Sequence, residues 1–168
     1  MSWEKRVAGF DPSYQARNTG FAVVESGTRR PTLIAYGIIK QEGKTEAERF
    51  ASLQLQVESL CAVHKVAKAA VEKPPPFSYR RSQKEDGKPL NIDSFMKNAN
   101  AAAVIIASLG RSGIRVVEAH AHLWKSHRNV NLGKEDMKRL ALATFPELRD
   151  KQLSEHEAEA VCLAVLNL

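Results

Sequence analysis

Val7-Ala8-Gly9-Phe10-Asp11-Pro12-Ser13, followed after a short gap by Thr19-Gly20-Phe21-Ala22-Val23-Val24, is the stretch on which the reading of this chain turns. Residues 6–11 are mostly apolar and close on a carboxylate, so they read as a strand ending at Asp11, with Pro12-Ser13 opening a turn. Residues 20–25 read as a second strand. Gly27-Thr28-Arg29-Arg30-Pro31 is a turn, and residues 32–40 are a third strand. Three runs joined by short polar turns predict an antiparallel meander. A carboxylate at the end of a buried strand is costly without a partner. Asp11 therefore raises the question of which cation it serves.

Downstream, residues 45–64 predict a helix, because Phe50, Leu53, Val57, Leu60 and Cys61 recur at spacings of three and four. Residues 67–72 predict a fourth strand with both faces buried, and it too ends on a carboxylate, Glu72. The stretch from Lys73 to Asn91 holds Pro74-Pro75-Pro76 and is neither helix nor central strand. Residues 91–109 predict a helix rich in small residues (Ala99, Ala101, Ala102, Ala103, Ala107), capped by Asn91 or Asp93 and ended by Gly110 and Gly113. Residues 114–117 read as a fifth strand, 118–131 as a polar stretch, 133–145 as a short helix stopped by Pro146, and 154–166 as the last helix. The order β-β-β-α-β-α-β-α-α predicts one α/β domain over residues 1–168. Its five-stranded sheet has three antiparallel strands and two more added by helical crossovers. Ligands in such sheets sit beyond strand ends.

Composition sets wide bounds. The 168 residues suit one core, and a formal charge of +6 permits a polyanionic partner. The opening residues lack the apolar stretch of a secretory signal, and no run approaches the roughly 18 apolar residues of a membrane span. Cys61 and Cys162 lie in apolar helical stretches and read as reduced core cysteines.

The third acidic position is Glu159, in the first turns of the last helix. His156 lies three residues before it and on the same face, while Glu157 points away and Glu155 lies near that face. Asp11, Glu72 and Glu159 come from distant parts of the chain, and hard divalent ions prefer such oxygens. A metal site of this kind supports phosphodiester cleavage. Taken singly, each residue has a plainer role: Asp before Pro in a turn, Glu at a strand exit, Glu in a helix's first turn. Their joint occurrence favours the metal. His120 and His122, with His127 the only third candidate for zinc, read as structural or solvent-facing, and Trp124 as a packing residue. Phe77 and Tyr79 stand beside Arg80, Arg81, Lys84 and Lys88. Aromatics stack on unpaired bases and cations neutralise phosphates, so these residues are a candidate DNA-binding set; alternatively Phe77 pins the loop to the core.

Gly9-Phe10-Asp11-Pro12-Ser13 with Thr19-Gly20, Ala70-Val71-Glu72, and His156-Glu157-Ala158-Glu159-Ala160 together resemble the motifs of the ribonuclease H-like superfamily, and within it the RuvC group of Holliday junction resolvases. The resemblance covers nearly the whole chain. It implies a ribonuclease H-like mixed sheet flanked by helices, with Asp11, Glu72, His156 and Glu159 as catalytic metal ligands. The family's last carboxylate is usually Asp, and Glu159 is one methylene longer. Lys125 and Lys134 resemble positions where the family carries lysines near the scissile phosphate; a solvated basic face is the alternative for both. The implied activity is two-metal-ion nicking of four-way junctions with Mg²⁺, or Mn²⁺ in its place, by a homodimer in a bacterial or phage-infected cytoplasm. The small-residue helix is the candidate interface. The rivals are a nuclease of RNA or RNA–DNA hybrids, and a nucleic-acid-binding module that no longer cleaves.

Overall fold

The computed structural model describes residues 6–13, 17–74, 92–120, 124–125 and 133–168. Its strands are β1 (Arg6–Ser13), β2 (Asn18–Glu25), β3 (Thr32–Lys40), β4 (Lys68–Lys73) and β5 (Arg115–His120). Among the described residues its α-helices are α1 (Glu46–Val63), α2 (Ile92–Arg111), α3 (Lys134–Thr144) and α4 (Glu155–Leu166). The sheet runs β3-β2-β1-β4-β5. β1 pairs antiparallel with β2, and β2 with β3; β4 lies parallel to β1, and β5 parallel to β4. This is the expected mixed sheet, with β1 and β4 adjacent at its centre. Their parallel register, Phe10 beside Val71, leads directly to Asp11 and Glu72 at the same end.

The period-two alternation of the strands sorts two cores. Ala8, Phe10, Val23, Ala69 and Val71 face one way, against Leu53, Val57 and Cys61 of α1 and Ala101, Ala102, Ile105 and Leu109 of α2. Ala22 and Val24 face the other way, against Met137 and Ala141 of α3 and Ala158, Ala160, Val161 and Ala164 of α4. Ala70 of β4 and Leu163 of α4 are buried together on that second side. By the same alternation Asp11, two residues beyond Gly9, and Glu72, two beyond Ala70, point to the α4 side. Both cysteines are buried and free, as expected, and burial pushes each thiol up to about 12.

Local signals explain the helix boundaries. Thr45 and Ser154 each close a capping box, with Glu48 and Glu157 as the returning carboxylates. α2 passes through Gly110 and stops later than the sequence suggests. Gly113, at φ +71°, provides the left-handed residue, and the Ile114 amide reaches back to the Leu109 carbonyl. Asp93 lies inside the first turn of α2, while Asn91 is outside the described residues. Three strands run longer than expected. β2 begins at Asn18, where it pairs with Ser13 on one side and Lys40 on the other. β1 continues through Pro12 and Ser13, paired only to β2 once its β4 pairing ends at Phe10, and a one-sided position tolerates a proline. β5 begins at Arg115 and continues to His120, because Glu72 and Lys73 of β4 still pair with Ala119 and His120. Among the described residues no helix is long and apolar enough to cross a membrane.

Candidate active site

Two glycines allow the site to assemble. A Cβ on Gly9 would lie 2.1 Å from the Ala160 carbonyl oxygen, and one on Gly20 would lie 2.1 Å from that of His156. Both distances are impossible for a real side chain, so α4 rests directly on the backbones of β1 and β2 at these points. That contact brings the first turns of α4 over the carboxyl ends of β1 and β4.

Asp11, Glu72 and Glu159 converge there. Each offers an oxygen, and these oxygens all lie within 4.8 Å of one another. Asp11 is 4% exposed, and the other two are half-buried. Like charges this close in a poorly solvated place disfavour ionisation. Burial, then the Asp11 carboxylate, push the Glu72 carboxyl up to about 8, with Lys125 pulling only partly back. Burial and Asp11 likewise raise Glu159. A divalent cation is the natural complement to three such hard, crowded oxygens, and the donor set fits one.

Of the remaining candidates, His156 and Lys125 stand against this triad. His156 stands one bond out: its Nδ1 donates to Asp11 Oδ2 at 2.5 Å, and that hydrogen bond raises its pKa. With Nδ1 so engaged, Nε2 is the nitrogen left for a ligand or a proton. Lys125 lies inside the site, with Nζ 3.2 Å from Glu72 Oε2 and 3.0 Å from Glu159 Oε2. Burial works to lower its pKa, but the Glu72 and Glu159 carboxylates outweigh burial and raise it. Lys134 lies apart from the triad, on the exposed start of α3, bound to Glu155 at 2.6 Å. That pairing raises Lys134 and lowers Glu155, and Glu155 is not among the acids that converge on the triad. Glu157 is turned away, as the helical spacing predicts: its carboxylate accepts from the Ser154 amide and hydroxyl.

Trp124 packs as expected and adds a polar contact that the sequence reading missed. It packs against the α3–α4 core, but its indole Nε1 also donates to Glu72 Oε2 at 3.0 Å. The one available signal was its place beside Lys125. His120 contacts the Pro74 carbonyl at 3.4 Å and belongs to no acidic or zinc-like group among the described residues. His122, His127, Phe77, Tyr79, Arg80, Arg81, Lys84 and Lys88 lie outside the described residues.

The chain resembles known proteins in sequence and in fold. Residues 7–166 match the family model described as crossover junction endodeoxyribonuclease RuvC. The chain is 33% identical over 116 residues to a RuvC of Hahella chejuensis, covering 69% of this chain and 59% of that protein. It spans about three-fifths of the length of the curated relatives it matches. Among solved structures, Thermus thermophilus RuvC in complex with a Holliday junction substrate superposes with a TM-score of 0.75 at 17% identity, over 96% of this chain and 92% of that one. Fowlpox virus resolvase with junction DNA superposes at 0.58 and 13% identity, over 96% and 99%. Both structures share the ribonuclease H-like fold, and with the family match running from the first residues of β1 to the last of α4, the chain belongs to the RuvC family of crossover junction endodeoxyribonucleases.

Proposed function

We propose that this protein is a metal-dependent endonuclease that resolves four-way DNA junctions by paired nicks. The observation that supports it most is the convergence of Asp11, Glu72 and Glu159, from three elements, within 4.8 Å in a chain of this family. Asp11, Glu72 and Glu159 are the residues that would hold the cation, with Mg²⁺ the expected ion and Mn²⁺ its substitute. When bound there, such an ion supplies Lewis acidity and acidifies a water.

The chain's own residues do the rest. His156, anchored through Nδ1 to Asp11, leaves Nε2 to ligate or to accept a proton, and the protonated ring does neither. Among the described lysines and arginines, Lys125 stands nearest the carboxylates, and stabilises charge developing on a phosphate brought there. Lys134, at the rim and held by Glu155, is suited to a more distant phosphate. Phe77 and Tyr79 supply faces for bases exposed at a branch point, and Arg80, Arg81, Lys84 and Lys88 supply charge for the backbone. Resolution needs two symmetric nicks and so two copies of the chain. On α2, Ile92 and Met96 are 55% and 50% exposed, and Ala103 and Ala107 continue the same solvent-facing stripe. That stripe is the proposed dimer surface. The cytoplasm of a bacterial or phage-infected cell is where this substrate would be met.

Gel cleavage of a synthetic four-way junction tests the proposal. Nicking with Mg²⁺ or Mn²⁺, loss of nicking in EDTA, and Asp11→Asn or Glu72→Gln proteins that bind the junction without cutting it are expected. Faster cutting of an RNA–DNA hybrid than of the junction, or a Glu72→Gln protein that cuts at near wild-type rate, would overturn it.

A further inference from the structure

Every carboxylate of the triad already has a protein donor. Asp11 has His156; Glu159 has Lys125; Glu72 has Lys125 and, on Oε2, the Trp124 indole. Lys125 bridges two chain-distant acids, and its side chain is only 24% exposed. Its ammonium also stands 5.2 Å from the Trp124 ring centre, so the two neighbouring residues act on one place.

An ammonium held between two carboxylates does what a metal ion does there, with half the charge and without fixed geometry. Lysine is a compact charge on a flexible four-carbon stem and can withdraw, whereas an indole is rigid and stays. We propose that Lys125 is the resident counter-ion of the metal-free site: its ammonium occupies the place between Glu72 and Glu159 that a divalent cation takes, and leaves when the cation binds, while Trp124 holds Glu72 in position. The inference rests on the metal-site reading above. It makes Trp124 a positioning residue and gives Lys125 a role before any substrate arrives. Two positive charges cannot share the gap between the same two carboxylates, so displacing Lys125 is a cost that the metal's own affinity must cover. The withdrawn ammonium is then free to meet a phosphate.

The test is Mn²⁺ binding to the DNA-free protein, followed by the loss of the free-ion paramagnetic resonance signal. Lys125→Met should bind Mn²⁺ about tenfold more tightly than wild type, the scale on which neighbours of metal ligands act. Lys125→Arg, which keeps the competing charge, should stay near wild type. Trp124→Phe should bind several-fold more weakly. If Lys125 only braces the site, Lys125→Met binds more weakly or unchanged, and the counter-ion role is overturned. Trp124→Phe with unchanged binding overturns the positioning role. Failure of both wild type and Lys125→Met to bind Mn²⁺ overturns the metal-site reading itself and this inference with it. Lys125→Met leaves buried carboxylates uncompensated and can fail to fold, so wild-type protein supplies a second measurement. Reductive methylation of Lys125, read by peptide mass spectrometry, should speed up several-fold when Mn²⁺ is added, and an unchanged or slower rate counts against displacement.

Discussion

Asp11, Glu72 and Glu159 repel one another, and among the described residues Lys125 and His156 are the groups that offset the repulsion without metal. This has a pH signature. The Glu72 carboxyl titrates at about 8 in the folded, metal-free protein against an ordinary 4.5. A carboxyl raised in this way contributes stability that is fully present below its unfolded value and lost as pH rises through its folded value. Glu159 and His156 are also raised and act in the same direction. The melting temperature in EDTA should therefore fall from about pH 5 to about pH 9, and Mn²⁺ should restore it mainly at the alkaline end. A flat profile in EDTA would contradict the crowding of the triad. Residue for residue, Glu159→Gln should abolish nicking. Glu157→Gln should keep it and cost under about 1 kcal/mol, since its amide oxygen still accepts from Ser154. Equal losses in the two variants, measured on one junction substrate, would mean that α4 presents a different face.

At the scale of elements, the docking of α4 on β1 and β2 decides whether a site exists. Gly9→Ala or Gly20→Ala forces a methyl into a backbone carbonyl. Overpacking of this kind costs about 1–3 kcal/mol. Gly20→Ala should also lose more activity than Gly9→Ala, because the displaced carbonyl belongs to His156. Thermal melts and nicking rates of the two variants check both claims. The end of α1 holds a different kind of strain. Lys65 takes the left-handed conformation at φ +54°, where the Val66 amide closes back on the Cys61 carbonyl. Lys65→Gly should stabilise the protein by about 0.5–1 kcal/mol, the cost of that conformation for a residue with a Cβ. A melt showing no gain or a loss would mean the Lys65 side chain contributes more than its backbone costs.

For the whole molecule, the proposed paired nicking would couple catalysis to the proposed dimer. Met96→Glu places a charge in the exposed α2 stripe, on a helix that packs on the sheet face opposite α4. It should give a monomer by sedimentation, break the simultaneity of the two nicks, and leave Mn²⁺ binding unchanged. A Met96→Glu protein that still sediments as a dimer would move the interface elsewhere.

The sequence alone carried the element order, the meander, the carboxylates at the strand ends, and the separation of Glu159 from Glu157. Each depends on a local period, of two or about 3.6, or on a capping residue, and such signals act over a few neighbours. Strand ends were less legible, because Pro12 reads as a turn until the one-sided pairing of β1 is known. The tertiary structure alone decided which charges meet. Lys125 and Lys134 carry the same chemistry. One lies between Glu72 and Glu159, the other on Glu155 at the rim, and nothing within a few residues of either distinguishes them. Trp124 reads as packing because an indole's one donor acquires a meaning only when Glu72, 52 positions earlier, is brought against it. Contacts between distant segments are set by how α4 and the sheet close on each other through Gly9 and Gly20, and that closure is a property of the packed whole.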